Sequence, residues 1–137
     1  MSEPEKIEAI LKKAKAGDAS AQDMLGTYYH NGQGVEKDYR LAMKWLLLAA
    51  NQGSAKAQFD ISLMYLKGDG VTPDYAKAMA WLKKSASQNY FQAQAGMGYM
   101  YQHGLGVMYD NGLGVNKDHL KALEWYRKSG QPPETIK

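Results

Sequence analysis

The chain has 137 residues, 45% of them hydrophobic, enough to bury a core without covalent staples. It has no cysteine, which excludes disulfides, thiolate catalysis and cysteine-based zinc sites. Seventeen basic against fourteen acidic side chains leave a net charge of +3, too mild to demand nucleic acid as a partner.

The first eighteen residues, MSEPEKIEAILKKAKAGD, are charged from the start and lack the apolar run of a signal peptide, so the expected location is the cytoplasm. A periplasmic location would require a leader that has been removed. Ile7, Ile10, Leu11 and Ala14 fall at i, i+3, i+4 and i+7, with Glu8, Lys12, Lys13 and Lys15 on the other side. That stripe predicts an amphipathic helix capping the end of a stack. The longest apolar run, WLLLAA at 45–50, is far too short to span a bilayer, so no membrane contact is expected.

After this helix the chain repeats itself. Setting Gly17 on Gly53 superposes Ala21/Ala57, Tyr29/Tyr65, Gly34/Gly70, Val35/Val71, Asp38/Asp74, Ala42/Ala78 and Trp45/Trp81 at a constant offset of 36 residues. Ala14 to Gln22, AKAGDASAQ, mirrors Ala50 to Gln58, ANQGSAKAQ, so the chain opens on half a unit. A third copy starts at Ala93 and keeps step through Tyr101, Gly104, Gly106 and Val107. It then slips by eight residues and resumes at Gly114, Val115, Asp118, Ala122 and Trp125. Within a unit, Ala21, Leu25, Tyr28 and Tyr29 recur at helical spacing and end at Asn31-Gly32, a left-handed stop. Asp38 then N-caps a second helix carrying Leu41, Ala42, Trp45, Leu46 and Ala49 on one face; Asp74 and Asp118 hold the same cap position. No segment alternates with period two. The expected fold is all-α, one capping helix and three hairpins, about seven helices in a single repeat domain, 1–137. Its parts are a cap at 1–16, repeats at 17–52, 53–88 and 89–131, and a tail at 132–137.

These phrases resemble the Sel-one-like repeat, a 36-residue relative of the tetratricopeptide repeat. The first-helix phrase of that family stands here as Ala21, Leu25-Gly26, Tyr29, Gly32, Gly34-Val35 and Asp38. Its second-helix phrase stands as Lys77-Ala78, Trp81 and Ser85-Ala86, and again as Lys121-Ala122, Trp125 and Ser129. Ile61-Ser62 replaces Leu-Gly in the second unit, and Leu41 stands where lysine is usual. The resemblance covers about residues 14 to 130 and implies a right-handed α-solenoid whose relatives mostly act as adaptors in protein complexes. Stacked hairpins leave a curved groove. Gly26 and Gly98 are expected at close helix contacts, and Trp45, Trp81 and Trp125 in the core between layers.

The chemical alternatives are thin. The G-x-G turns follow no predicted strand, none extends to G-x-G-x-x-G, and no Gly-Lys-Ser/Thr clamp occurs, so no nucleotide or other cofactor is expected. His30, His103 and His119 form no H-x3-H pair, and Asp110-Asn111-Gly112 lacks the further carboxylates of a calcium loop, so no metal is expected. Lys12, Lys13 and Lys15, and Lys83-Lys84, read as solvated helix faces rather than a nucleic-acid track. Some cysteine-rich relatives have been credited with binding or hydrolysing β-lactams, but their disulfides are absent here. Ser54, Ser62, Ser85 and Ser87 all fail S-x-x-K spacing, so no enzyme activity is expected.

The functional expectation is a protein or peptide partner held in the groove. By the family's geometry the first helix of each hairpin lines the concave side, which places Asp23, Thr27 and His30 there in the first unit. Phe59, Leu63, Leu66 and Lys67 take those places in the second unit, and Tyr99, Gln102 and His103 in the third. Phe59, Leu63, Leu66 and Tyr99 break the repeat, as residues specialised for a partner would, with Lys67 and Asp23 setting orientation. An inhibitor or immunity-type protein for a toxin or enzyme is a narrower version of the same reading. Homo-oligomerisation through the C-terminal end or the insertion is another.

The slip in register comes from MYQHGLGV at 100–107 being followed at once by MYDNGLGV, an eight-residue insertion at 108–115. Either the first helix of the third unit runs on to Asn111, or it stops at Gly104 before a partly helical protrusion. Eight more residues would turn a helix about 80° beyond two full turns, and Gly104 would cost about 1 kcal/mol in mid-helix. Both effects favour the stop. Either way Leu105, Val107, Met108 and Tyr109 lose their repeat partners and are expected to form an apolar knob at one rim of the groove.

Overall fold

The computed structural model describes residues 2–103 and 119–130. Among them are seven helices and no strand: α1 (Glu3–Lys15), α2 (Ala19–Asn31), α3 (Tyr39–Asn51), α4 (Ala55–Lys67), α5 (Tyr75–Ala86), α6 (Phe91–His103) and α7 (His119–Ser129). The chain divides into two compact units, Met1–Ile61 and Ser62–Lys137, with the boundary inside α4.

The helix ends follow from local chemistry. Backbone N–H groups at a helix start have no intrahelical acceptor, and a carboxylate or hydroxyl just before the helix supplies one. Ser2 accepts from Glu5 N–H at α1, and Asp18 from Ala21 N–H at α2. Asp38 accepts from Arg40 and Leu41 N–H at α3, and Asp74 from Lys77 N–H at α5. The matching cap expected at Asp118 lies outside the described residues. Gly32 ends α2 at φ 69°, the left-handed conformation that side chains disfavour.

In the first unit, Ala14, Ala21, Leu25 and Trp45 form a buried cluster, with Ile10, Leu11 and Tyr29 packed against it. The stripe expected on α1 is therefore its inner face. Helices α2 and α3 close tightly because Gly26 lies where any Cβ would come within 2.6 Å of Leu46 Cγ. In the second unit Gly98 sits against the Tyr126 ring and the Ala122 carbonyl in the same manner.

Two features lie beyond the sequence reading. Gln22, Gln58 and Gln94 are buried, and each donates its side-chain N–H to a carbonyl eight residues earlier: Ala14 at 3.1 Å, Ala50 at 3.1 Å and Ala86 at 3.5 Å. Each bond ties the start of one helix to the end of the helix before it. The tryptophans also differ from expectation. Trp45 is buried, but Trp81 and Trp125 are half-buried, with the ammonium groups of Lys84 and Lys128 over their rings at 4.6 and 4.5 Å. A lysine stem and its charge cover what a further layer was expected to cover.

Candidate functional site

In the first unit the residues expected on the groove side of α2 converge on a lysine from α4. Asp23 is nearly buried; its Oδ2 accepts from Ser54 Oγ–H at 3.1 Å and its Oδ1 from Lys56 Nζ at 3.3 Å. The same ammonium donates to Thr27 Oγ1 at 3.3 Å and to Asp60 Oδ2 at 2.9 Å. One cation thus bridges two carboxylates and a hydroxyl across two helices. Burial pushes the Asp60 carboxyl above the usual carboxylate range, against the hydrogen bond and charge of Lys56; the Asp23 charge adds to the rise and His30 opposes it. Burial alone would lower Lys56, but the bonds and charges of Asp60 and Asp23 outweigh it and hold the ammonium above the usual lysine value.

Beside this cluster is a cavity of about 240 Å³ lined by Ser20, Asp23, Met24, Thr27, Tyr28 and Lys56. Met24, 42% exposed, forms its apolar rim. His30 lies one turn beyond Thr27, its Nδ1 2.9 Å from Asn31 Oδ1 and its ring 5.2 Å from that of Tyr39. Asp23, Thr27 and His30 therefore do share a neighbourhood, but Asp23 is held by Ser54 and Lys56 rather than open to set a partner's orientation. Lys56, Asp60 and Ser54 are members of the cluster that lie outside the sequence expectation. The i, i+4 spacing of Lys56 and Asp60 was the available signal; the reach of Lys56 to Asp23 depends on helix packing.

The α4 residues that break the repeat, Phe59, Leu63 and Leu66, are each half-buried, and Lys67 is exposed. Ala57, Ile61, Ser62 and Met64 on the same helix are at most 1% exposed. In the second unit Tyr99 is 41% exposed, its ring 4.2 Å from that of exposed His103. Gln102 corrects the expectation. It is 3% exposed and its Oε1 accepts from Tyr126 O–H at 2.9 Å, so it belongs to the α6–α7 contact rather than to an open face. Leu46 and Leu82 hold the place of Tyr126 in the earlier repeats, and the phenol that replaces them requires a buried acceptor. Leu105, Val107, Met108 and Tyr109 lie outside the described residues.

Among the described residues no three His, Asp or Glu side chains group as metal ligands would, and no helix is long and apolar enough to cross a membrane. Thr27 beside Lys56 is a weak candidate for nucleophile and base, because a lysine held above its usual pKa stays protonated near neutral pH and leaves little free amine to accept a proton.

The profile of the Sel1 repeat matches this chain three times in succession, at residues 19–54, 55–90 and 91–131. The chain belongs to the Sel1 repeat family. Among solved structures it is similar to a Sel1 repeat protein from Oxalobacter formigenes, at 38% identity and a TM-score of 0.74 over 84% of this chain and 44% of that one. It is also similar to c5321, a protective antigen present in uropathogenic Escherichia coli strains and displaying an SLR fold. That match has 29% identity and a TM-score of 0.69 over 90% of this chain and 32% of the antigen. The chain thus spans less than half the length of either. No curated protein sequence matches it. The fold is the all-α solenoid of this family, whose repeats generally act as protein-interaction modules and are typically non-catalytic scaffolds.

Proposed function

We propose that this Sel1 repeat chain binds a partner peptide or helix on the first-helix side of its hairpins, through Phe59, Leu63, Leu66 and Tyr99. The observation that carries the reading is the division of α4. Ala57, Ile61, Ser62 and Met64 are at most 1% exposed, whereas Phe59, Leu63 and Leu66, large apolar residues without matches in the other repeats, keep part of their surface open. Packing requires the first set and does not require the second. Apolar side chains in a half-open position are stabilised further when a partner removes the remaining surface from water, at roughly 25 cal/mol per Å². In the second unit the Tyr99 ring lies 4.2 Å from that of His103, which adds a polar group next to it. Lys67, exposed at the end of α4, offers a charge for orienting the partner.

The test is affinity capture from native lysate by the full chain and by Leu63→Asp/Leu66→Asp, with circular dichroism confirming that both are folded. Loss of the captured partner in the variant supports the reading, and undiminished capture removes it.

A further inference from the structure

We propose that the second unit carries another interaction surface, the α5–α7 side, which takes an acidic segment of a partner protein. It is separate from the first-helix face argued above. The charge of the chain is unevenly placed: α5 and α7 together hold six cationic side chains, Lys77, Lys83, Lys84, Lys121, Arg127 and Lys128, against the single carboxylate of Glu124. The rest of the chain then has eleven cations against thirteen carboxylates, so the positive excess of the whole molecule resides on these two helices.

Position and order reinforce the count. Lys77 and Lys121 lie over Tyr65 and Tyr101 at 5.6 and 5.4 Å, and Lys84 and Lys128 lie over Trp81 and Trp125. An ammonium seated on a ring is held in place, so less side-chain entropy remains to be lost when an anion binds. Lys84 and Lys128 form no ion pair among the described residues, unlike Lys56, which two carboxylates neutralise. The ends of α5 and α7 flank one cavity of about 410 Å³, lined by Ala86, Ser87, Asn89, Gln94, Trp125 and Lys128. A glutamate side chain suits it: its carboxylate would meet the Lys128 ammonium beside the neutral hydrogen-bonding groups of Ser87, Asn89 and Gln94. Nucleic acid suits it less, because the lysines already occupy the ring faces on which bases would stack.

The experiment is fluorescence anisotropy with a labelled glutamate peptide of about twelve residues, titrated with the full chain at low and at physiological ionic strength. Saturable binding that weakens with salt is expected. Lys84→Glu/Lys128→Glu should weaken it by about tenfold or more, and Lys12→Glu/Lys13→Glu on α1 by less than about twofold. If the first variant loses helical signal, Lys84→Gln/Lys128→Gln replaces it, with an expected loss of about threefold. Three results overturn the proposal: no binding by the native chain, equal losses in the α1 and α5–α7 variants, or tighter binding of a single-stranded oligonucleotide of equal charge.

Discussion

The side-chain amide of Gln58 donates to the carbonyl oxygen of Ala50 at 3.1 Å, which holds the start of α4 against the end of α3. The carbonyl already accepts from Gly53 N–H, so losing the glutamine leaves it with one partner instead of none. Gln58→Leu keeps the volume and removes the bond, and should cost about 1 kcal/mol. Gln94 makes the same bond to Ala86 at 3.5 Å, where the interaction is weaker, so Gln94→Leu should cost less. Urea denaturation of both variants checks the order; equal or reversed losses would mean that packing, not the bond, sets the cost.

Gly26→Ala should destabilise the first unit. The new methyl would lie 2.6 Å from Leu46 Cγ and 3.2 Å from the Ala42 carbonyl oxygen, which is backbone and cannot move aside as a side-chain tip would. Overpacking of this kind costs about 1–3 kcal/mol, offset in part by the helix preference of alanine over glycine, about 1 kcal/mol. Thermal melts should therefore show a lower midpoint, and an unchanged or higher one would mean that α2 and α3 can separate without loss.

Much of this architecture was legible in the sequence because its causes are local. Asp38 and Asp74 cap helices through bonds to the next few residues, and Gly32 ends one through its own backbone conformation, so each can be read without knowing what lies opposite. The Gln–Ala ties were present in the aligned Ala14–Gln22 and Ala50–Gln58 phrases, but their meaning appears only when two helices are placed side by side. The role of Lys56 is not legible in the sequence for the same reason: two of its acceptors, Asp23 and Thr27, lie on another helix. Gln102 departs from the expectation set by its repeat position, shared with half-buried His30 and Leu66, because the Tyr126 hydroxyl that draws it inward has no counterpart in the other repeats.

The Asp60 carboxyl supplies a prediction in pH. Its pKa in the fold is raised above the ordinary 3.8, chiefly by burial, so the folded chain holds that proton more tightly than the unfolded chain. The resulting stabilisation is fully present below the unfolded pKa and is lost as pH rises through the folded one. Asp60→Asn takes on no charge anywhere in this range. The stability of the native chain relative to this variant should therefore fall from about pH 3.5 to about pH 7. Lys56 stays protonated throughout that window and does not reverse the sign. Urea midpoints of the two proteins at both pH values decide it; a relative gain for the native chain on going to neutral pH would show that the attraction of Lys56 outweighs burial.

Deleting residues 108–115 should leave the fold intact. The junction then reads YQHGLGVNKDHLKALEW, in which Tyr101 stands nine residues before Asp118, the spacing of Tyr65 to Asp74 in the preceding unit. In that unit the chain leaves α4 at Lys67, turns through Gly68 and Gly70 at positive φ, and enters α5 under the Asp74 cap. Gly104, Gly106 and Asp118 would supply the same turn and cap residues at the same distances, so the shortened chain has a complete local code for its last hairpin. The entropy of closing a connection varies slowly with its length, so removing eight residues between two helices costs little on that account. The deletion should shift the urea midpoint by an amount worth less than about 1 kcal/mol. Its helical circular dichroism per remaining helix residue should match that of the full chain. Cooperative unfolding lost on deletion would mean that the duplicated block is part of the core, and that the third repeat was rebuilt around it rather than merely displaced.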